Sequence, residues 1–129
     1  MIYPSPEKII EHNELVLSII KVKKADSPKV MSYTKILEVI EECKNSAGDI
    51  YDKAVVLIKG LVKKHAFASG NRRTAFITTK YFIINNKGKF NIKDDPSYAN
   101  VMQGIREDYY SDDEIKEWIK DGKIRQFKR

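Results

Sequence analysis

The stretch His65 to Ala75, HAFASGNRRTA, brings a titratable imidazole, a glycine, an amide and two guanidiniums together within a few residues. Its small residues and glycine make AFASGN a loop, after which a helix restarts near Asn71 or Arg72. The first turn of such a helix carries N–H groups with no acceptor of their own and the positive end of the helix dipole, so the junction is a ready anion site. Arg72 and Arg73 add charge-assisted donors to it. His65, just before the loop, is placed to take a proton from a hydroxyl that attacks a bound phosphate. Each residue alone also has a plainer use. A histidine closing an apolar face is ordinarily a satisfied core group, paired arginines on a helix ordinarily face solvent, and Gly70 alone is a turn. The chemistry rests on their joint spacing.

The elements that must hold this segment read as helices with short polar breaks. Ser5, Pro6 and Glu7 supply an N-cap, a first-turn proline and a first-turn acid. The helix that follows runs from Pro6 to about Ile20, turning Ile9, Ile10, Leu15, Val16, Ile19 and Ile20 inward. VKKADSPKVMS breaks that pattern as an exposed loop or a short hairpin, in which Val30 and Met31 are apolar with no helical face to join. A second helix spans about Tyr33 to Cys43. Asp49 caps a third, whose Ala54, Ile58, Leu61 and His65 share one face, so that His65 ends a core-facing stripe. From Ala75 to Ile84 the next helix is apolar almost all round and suits the centre of a fold. KFNI reads as a short β segment. DDPS caps a helix reaching about Tyr109, Ser111 and Glu114 form a capping box for a last helix ending at Gly122, and the tail KIRQFKR is expected to fray.

At 129 residues and 42% hydrophobic content, one compact all-α domain over 1–129 is the expectation. No apolar run is long enough to cross a membrane, and the N-terminus does not read as a signal peptide, which points to a cytoplasmic protein. The lone Cys43 excludes an intrachain disulfide and reads as a small buried hydrophobe. The net charge of +6 is unevenly spread: residues 61–93 hold eight Lys or Arg and no acid, whereas 1–60 balance and 94–129 are slightly acidic. The excess positive charge therefore forms one local field that attracts phosphates. Nucleic acid is the weaker partner class, because many residues of that segment are helix core and a phosphate site already accounts for its charge.

HAFASGNRRTA resembles the motif of the Fic/Doc family, H-x-F-x-(D/E)-x-N-(G/K)-R, with His65, Phe67, Gly70, Asn71 and Arg73 in register. It is closer to the Doc, or death-on-curing, branch, in which Lys precedes the motif arginine and Thr-Ala follows it, as in Arg72-Arg73-Thr74-Ala75 here. Phe76 stands where the AMP-transferring Fic branch has a second arginine. Length, opening Ser5-Pro6-Glu7 and helical order agree, so the likeness extends over essentially the whole chain.

The resemblance implies a compact all-α fold in which the motif loop joins two central helices and binds ATP. It implies His65 as the general base, Phe67 as the loop's anchor in the core, the backbone around Gly70 with the Asn71 side chain as an anion hole, and Arg73, with Arg72, as holders of the nucleotide phosphates. Val30 and Met31 fall where a flap that aligns the target segment is expected. The implied reaction is phosphate transfer from ATP to a hydroxyl of a target protein, the precedent being a translation elongation factor. Transfer of AMP or another nucleotidyl group is the alternative. Ser69 stands where the family places Asp or Glu to hold Mg²⁺, and a neutral hydroxyl is a much poorer ligand for that cation. A nucleotide- or partner-binding module without turnover is the third reading. No inhibitory-helix motif of the form Ser/Thr-x-x-x-Glu-Gly/Asn occurs, so a separate antitoxin protein is the implied control.

Overall fold

The computed structural model describes residues 1–19 and 29–128. Among them are six helices: α1 Pro6–Ile19, α2 Tyr33–Asn45, α3 Ile50–Lys63, α4 Asn71–Asn85, α5 Tyr98–Arg106 and α6 Asp112–Asp121. The only strand-like pairing in the described part is a single antiparallel bridge between Val30 and Phe67. The fold is all-α, as the periodicity predicts. The central pair is α3 and α4, with α2, α5 and α6 packed on α3 and α1 on α4.

Local chemistry sets the helix ends. The Asp49 carboxylate accepts from the N–H groups of Tyr51 and Asp52 while Asp52 accepts from the Asp49 N–H, a capping box that starts α3. Ser111 and Glu114 do the same for α6, and Gly122 closes it at φ 73°. Gly60, in the last turn of α3, lets α2 approach: a Cβ there would lie 2.9 Å from Val39 Cγ1. The C-terminus of α2 is closed by a lysine from the next helix. Lys53 is only 7% exposed, and its Nζ donates to the carbonyls of Cys43, Lys44 and Ser46 at 3.2, 3.1 and 2.6 Å. The cation thus meets the negative end of the helix dipole. Cys43 beside it is buried, and that burial pushes its thiol up to about 11.

Several expectations are revised. The inward face of α1 is Ile9, His12, Asn13, Val16 and Leu17; Leu15 and Ile19 point out, and Ile20 lies outside the described residues. The spacing i, i+3/i+4, i+7 from Ile9 selects His12 and Asn13 over Leu15, so two polar side chains occupy core positions. His65 does not end the α3 stripe. The helix stops at Lys63, and His65 is exposed with φ 54°. α4 is central but not apolar all round, since Thr74, Thr78 and Thr79 are buried while Ile84 is 51% exposed. KFNI forms no strand, because it has no partner strand to pair with; instead Asn91 serves the end of α6, its N–H donating to the Ile119 carbonyl and its side chain to that of Lys120. Asp108, at φ 59°, stops α5 at Arg106 rather than at Tyr109. The tail is docked as far as Phe127. Arg125 pairs with Glu114, holding that carboxyl down near 2, and sits 4.1 Å from the Tyr109 ring centroid, while Phe127 exchanges backbone bonds with the Asn100 side chain.

Of the segment read as a loop or hairpin, residues 22–28 lie outside the described part. Residues 29–32 run beside the motif loop. The N–H groups of Met31 and Ser32 both donate to the Ala66 carbonyl, at 2.8 and 3.1 Å, and the Ala68 N–H donates to Lys29 at 3.0 Å.

Candidate functional site

The motif segment leaves α3 at Lys63 and enters α4 at Asn71, so the seven intervening residues are a tight connection between the two central helices. His65 takes a left-handed backbone conformation, uncommon for a residue with a side chain and met most often at turns and functional sites. Its backbone turn leaves the imidazole exposed while the chain dives: Ala66 and Phe67 are buried, Phe67 almost completely. Asn71, also buried, locks the loop from the other end. Its Nδ2 donates to the Phe67 carbonyl at 2.8 Å and its Oδ1 accepts from the Phe67 N–H at 3.1 Å. Both polar ends of the Asn71 amide are thus engaged with the loop backbone and fix the shape of the turn, and the Nδ2 group has a second N–H besides.

Gly70 precedes α4 at φ 76° and provides no side-chain cap. A Cβ there would lie 3.2 Å from Leu17 Cδ2 and 3.3 Å from Asn13 Nδ2, so the residue suits glycine on both conformation and space. The first N–H groups of α4 precede the intrahelical ladder, whose first bond is from the Thr74 N–H to the Gly70 carbonyl at 2.9 Å, and Gly70 brings no side-chain oxygen to cap them. Around them lies a cleft of about 390 Å³. The sequence-predicted His65, Ser69, Gly70, Asn71, Arg72 and Arg73 all line it. Arg72 and Arg73 are exposed, with an Arg72 guanidinium nitrogen donating to Gln103 of α5. Val30 and Met31 do not line the cleft. They are held against Ala66–Ala68, next to His65, with Met31 59% exposed.

The sequence reading missed two sets of residues that shape this region. One is a buried polar network between α1 and α4. Asn13 Nδ2 donates to the Ser69 carbonyl at 2.9 Å and to Thr74 Oγ1 at 3.1 Å, and His12 Nδ1 lies 2.8 Å from Thr78 Oγ1. The His12 ring also meets Tyr81 edge-on, centroids 5.1 Å apart. Desolvation, helped by the Lys8 charge and opposed by Glu11, holds its imidazole below the usual value. The i, i+4 pair Thr74 and Thr78, facing His12 and Asn13 on α1, was the available signal. The other set comes from α5, whose Tyr98, Met102 and Arg106 form part of the cleft wall. A distant helix supplies it, so local patterning could not reveal it.

The model of the Fic/DOC family matches residues 3–83, from the chain's start through nearly all of α4. The chain belongs to the Fic/DOC family. The matched region of this Fic/DOC protein contains the loop, the buried α1–α4 network and every motif residue, whereas α5 and α6 lie beyond it. Among curated proteins none matches the chain. Phe76, one turn into α4, is a core side chain here: it stacks on Tyr98 at 4.1 Å between centroids and meets Phe90 edge-on at 5.5 Å, leaving no cation at that position.

Proposed function

We propose that this Fic/DOC protein is a Doc-like toxin that transfers phosphate from ATP to a serine or threonine hydroxyl of a target protein. The observation that carries this reading is the single cleft shared by the exposed His65 imidazole, the amide-rich start of α4 and the guanidiniums of Arg72 and Arg73. In the proposed step His65 accepts the hydroxyl proton, the freed oxygen attacks the γ-phosphorus, and the bond from that phosphorus to the β,γ-bridging oxygen breaks to release ADP. Arg73, Arg72 and the first-turn N–H groups hold the phosphates and meet the charge that develops in the transition state. Phe76, packed in the core where the nucleotidyl-transferring branch has an arginine, favours phosphoryl over AMP transfer. A translation elongation factor is the proposed class of target, in the cytoplasm, and a separate antitoxin protein the proposed inhibitor. The backbone of Val30 and Met31, beside His65, is the proposed guide for the target segment.

The second reading is a nucleotide- or partner-binding module without turnover, favoured by Ser69 in place of a metal-binding carboxylate. Incubation with α- and γ-labelled ATP and a host lysate separates these readings. Label from the γ position alone supports phosphoryl transfer, label from α supports nucleotidyl transfer, and none supports the silent module. His65→Ala should abolish transfer with the fold intact, a loss of about 10² to 10⁴ for a general base. Ser69→Asp should raise Mg²⁺-dependent turnover by about tenfold or more, because one carboxylate beside the substrate phosphates is an ordinary way to hold that ion.

A further inference from the structure

Among the described residues, those lining the cleft include three arginines and a histidine and no carboxylate. Among the described residues no group of three or more His, Cys, Asp or Glu side chains could hold a metal ion. Protein-bound Mg²⁺ is usually held by one or two carboxylates besides the substrate phosphates, and Ser69 brings only a neutral hydroxyl to the family's metal position. The donor set does not fit a protein-held Mg²⁺. Positive charge for a phosphate ligand must then come from side chains.

Arg106 supplies such charge from outside the matched family region. It is the last residue of α5, exposed, and lines both the main cleft and the adjoining depression formed with Val62, Lys63 and His65. The neighbouring cations are engaged elsewhere: Lys59 with Asp112, Lys63 with Asp108, Lys64 with Glu38 and Glu42. Among the described residues, neither Arg106 nor Arg73 forms an ion pair. A guanidinium with no ion pair among the described residues, beside a cleft whose described lining has no carboxylate, is a receptor for a phosphate oxyanion, since its planar fork can donate two parallel hydrogen bonds.

We infer that Arg106 is a third arm of the phosphate site, and that the cleft takes its phosphate-bearing ligand as a metal-free polyanion met by Arg72, Arg73 and Arg106. This rests on reading the cleft as a phosphate site, so the test must separate the two claims. Calorimetric titration of the full chain with ATP, in EDTA and in excess Mg²⁺, does so when run on wild type, Arg73→Gln and Arg106→Gln. Wild type should bind ATP in EDTA at least as tightly as in Mg²⁺, as expected when the fully ionised triphosphate is the better ligand. Arg106→Gln should weaken that binding roughly tenfold, the scale of one charge-assisted contact. Its melting temperature should stay within about 2 °C of wild type, because the side chain is exposed and unpaired. Arg106→Lys, which keeps the charge without the fork, should fall between the two.

ATP binding that is weakened by Arg73→Gln but untouched by Arg106→Gln would overturn the inference and leave the phosphate reading standing. Binding that needs Mg²⁺ would do the same. An absence of ATP binding under both conditions, or binding indifferent to Arg73→Gln, would remove the phosphate reading itself.

Discussion

Asn13 is 1% exposed, and its Nδ2 is shared between the Ser69 carbonyl and the Thr74 hydroxyl. Asn13→Ala deletes that donor group and leaves both acceptors behind. The Thr74 contact is fully buried, and stranding its oxygen costs about 1–2 kcal/mol; the part-buried Ser69 carbonyl, which water can reach from the cleft, adds about 1 kcal/mol. The total is about 2–3 kcal/mol. For a chain of 129 residues the entropy of unfolding makes each kcal/mol worth about 4 °C, so the melting temperature should fall by roughly 7–11 °C. Ser69 and Gly70 are part of the wall of the cleft, so under the proposed phosphate-site reading ATP affinity should fall as well, which a purely global destabilisation would not produce well below the melting point. Differential scanning calorimetry of Asn13→Ala, Thr74→Val and the double variant provides the assay, with a coupling of about 1 kcal/mol expected for residues in direct contact. A single variant melting within about 2 °C of wild type, a change of only about 0.5 kcal/mol, would refute the claim that this network holds the motif loop.

Lys53→Met should lower stability by about 2–4 kcal/mol in urea unfolding, because three carbonyls at the end of α2 lose a charged donor inside the fold; unchanged stability would show that water replaces the ammonium there. His12 links stability to pH. Its imidazole is held below the ordinary histidine value of 6.5 by desolvation first and Lys8 second, so the unfolded chain takes up this proton at higher pH than the folded one. That stabilising contribution is complete above 6.5 and is lost as pH falls through the folded value, so the urea midpoint should drop on acidification below 6.5. His12→Gln should remove this part of the slope, and an unaltered profile would count against it. Cys43, with its thiol pushed up to about 11 by burial, should resist a thiol reagent in native protein near neutral pH and react once urea unfolds the chain; rapid native labelling would contradict its place in the core.

The sequence alone determined the all-α class, the starts of α1, α3 and α6, and the register of the motif, because caps, helical periodicity and a spaced motif are local properties that neighbouring residues decide among themselves. Ser5, Asp49 and Ser111 act where their hydroxyls and carboxylate were expected to act. Local pattern misjudged what depends on which helix lies opposite. Leu15 faces out and Asn13 faces in because α4 brings Thr74 to meet the amide, a pairing of residues 61 positions apart that satisfies polar atoms a lone helix would keep in solvent. His65 reads as the end of an apolar stripe only while α3 is assumed to continue; the helix ends at Lys63, and His65's own backbone, at φ 54°, turns it out to the cleft. Asn71 reads from the motif as a phosphate-site amide, and only the fold shows that the same amide also braces the Phe67 peptide at both its polar ends. Arg106 and Tyr98 carry no local signal at all: they become cleft residues because α5 packs on α3 and α4, and only tertiary packing, driven by burial of Val101, Met102 and Ile105, decides that.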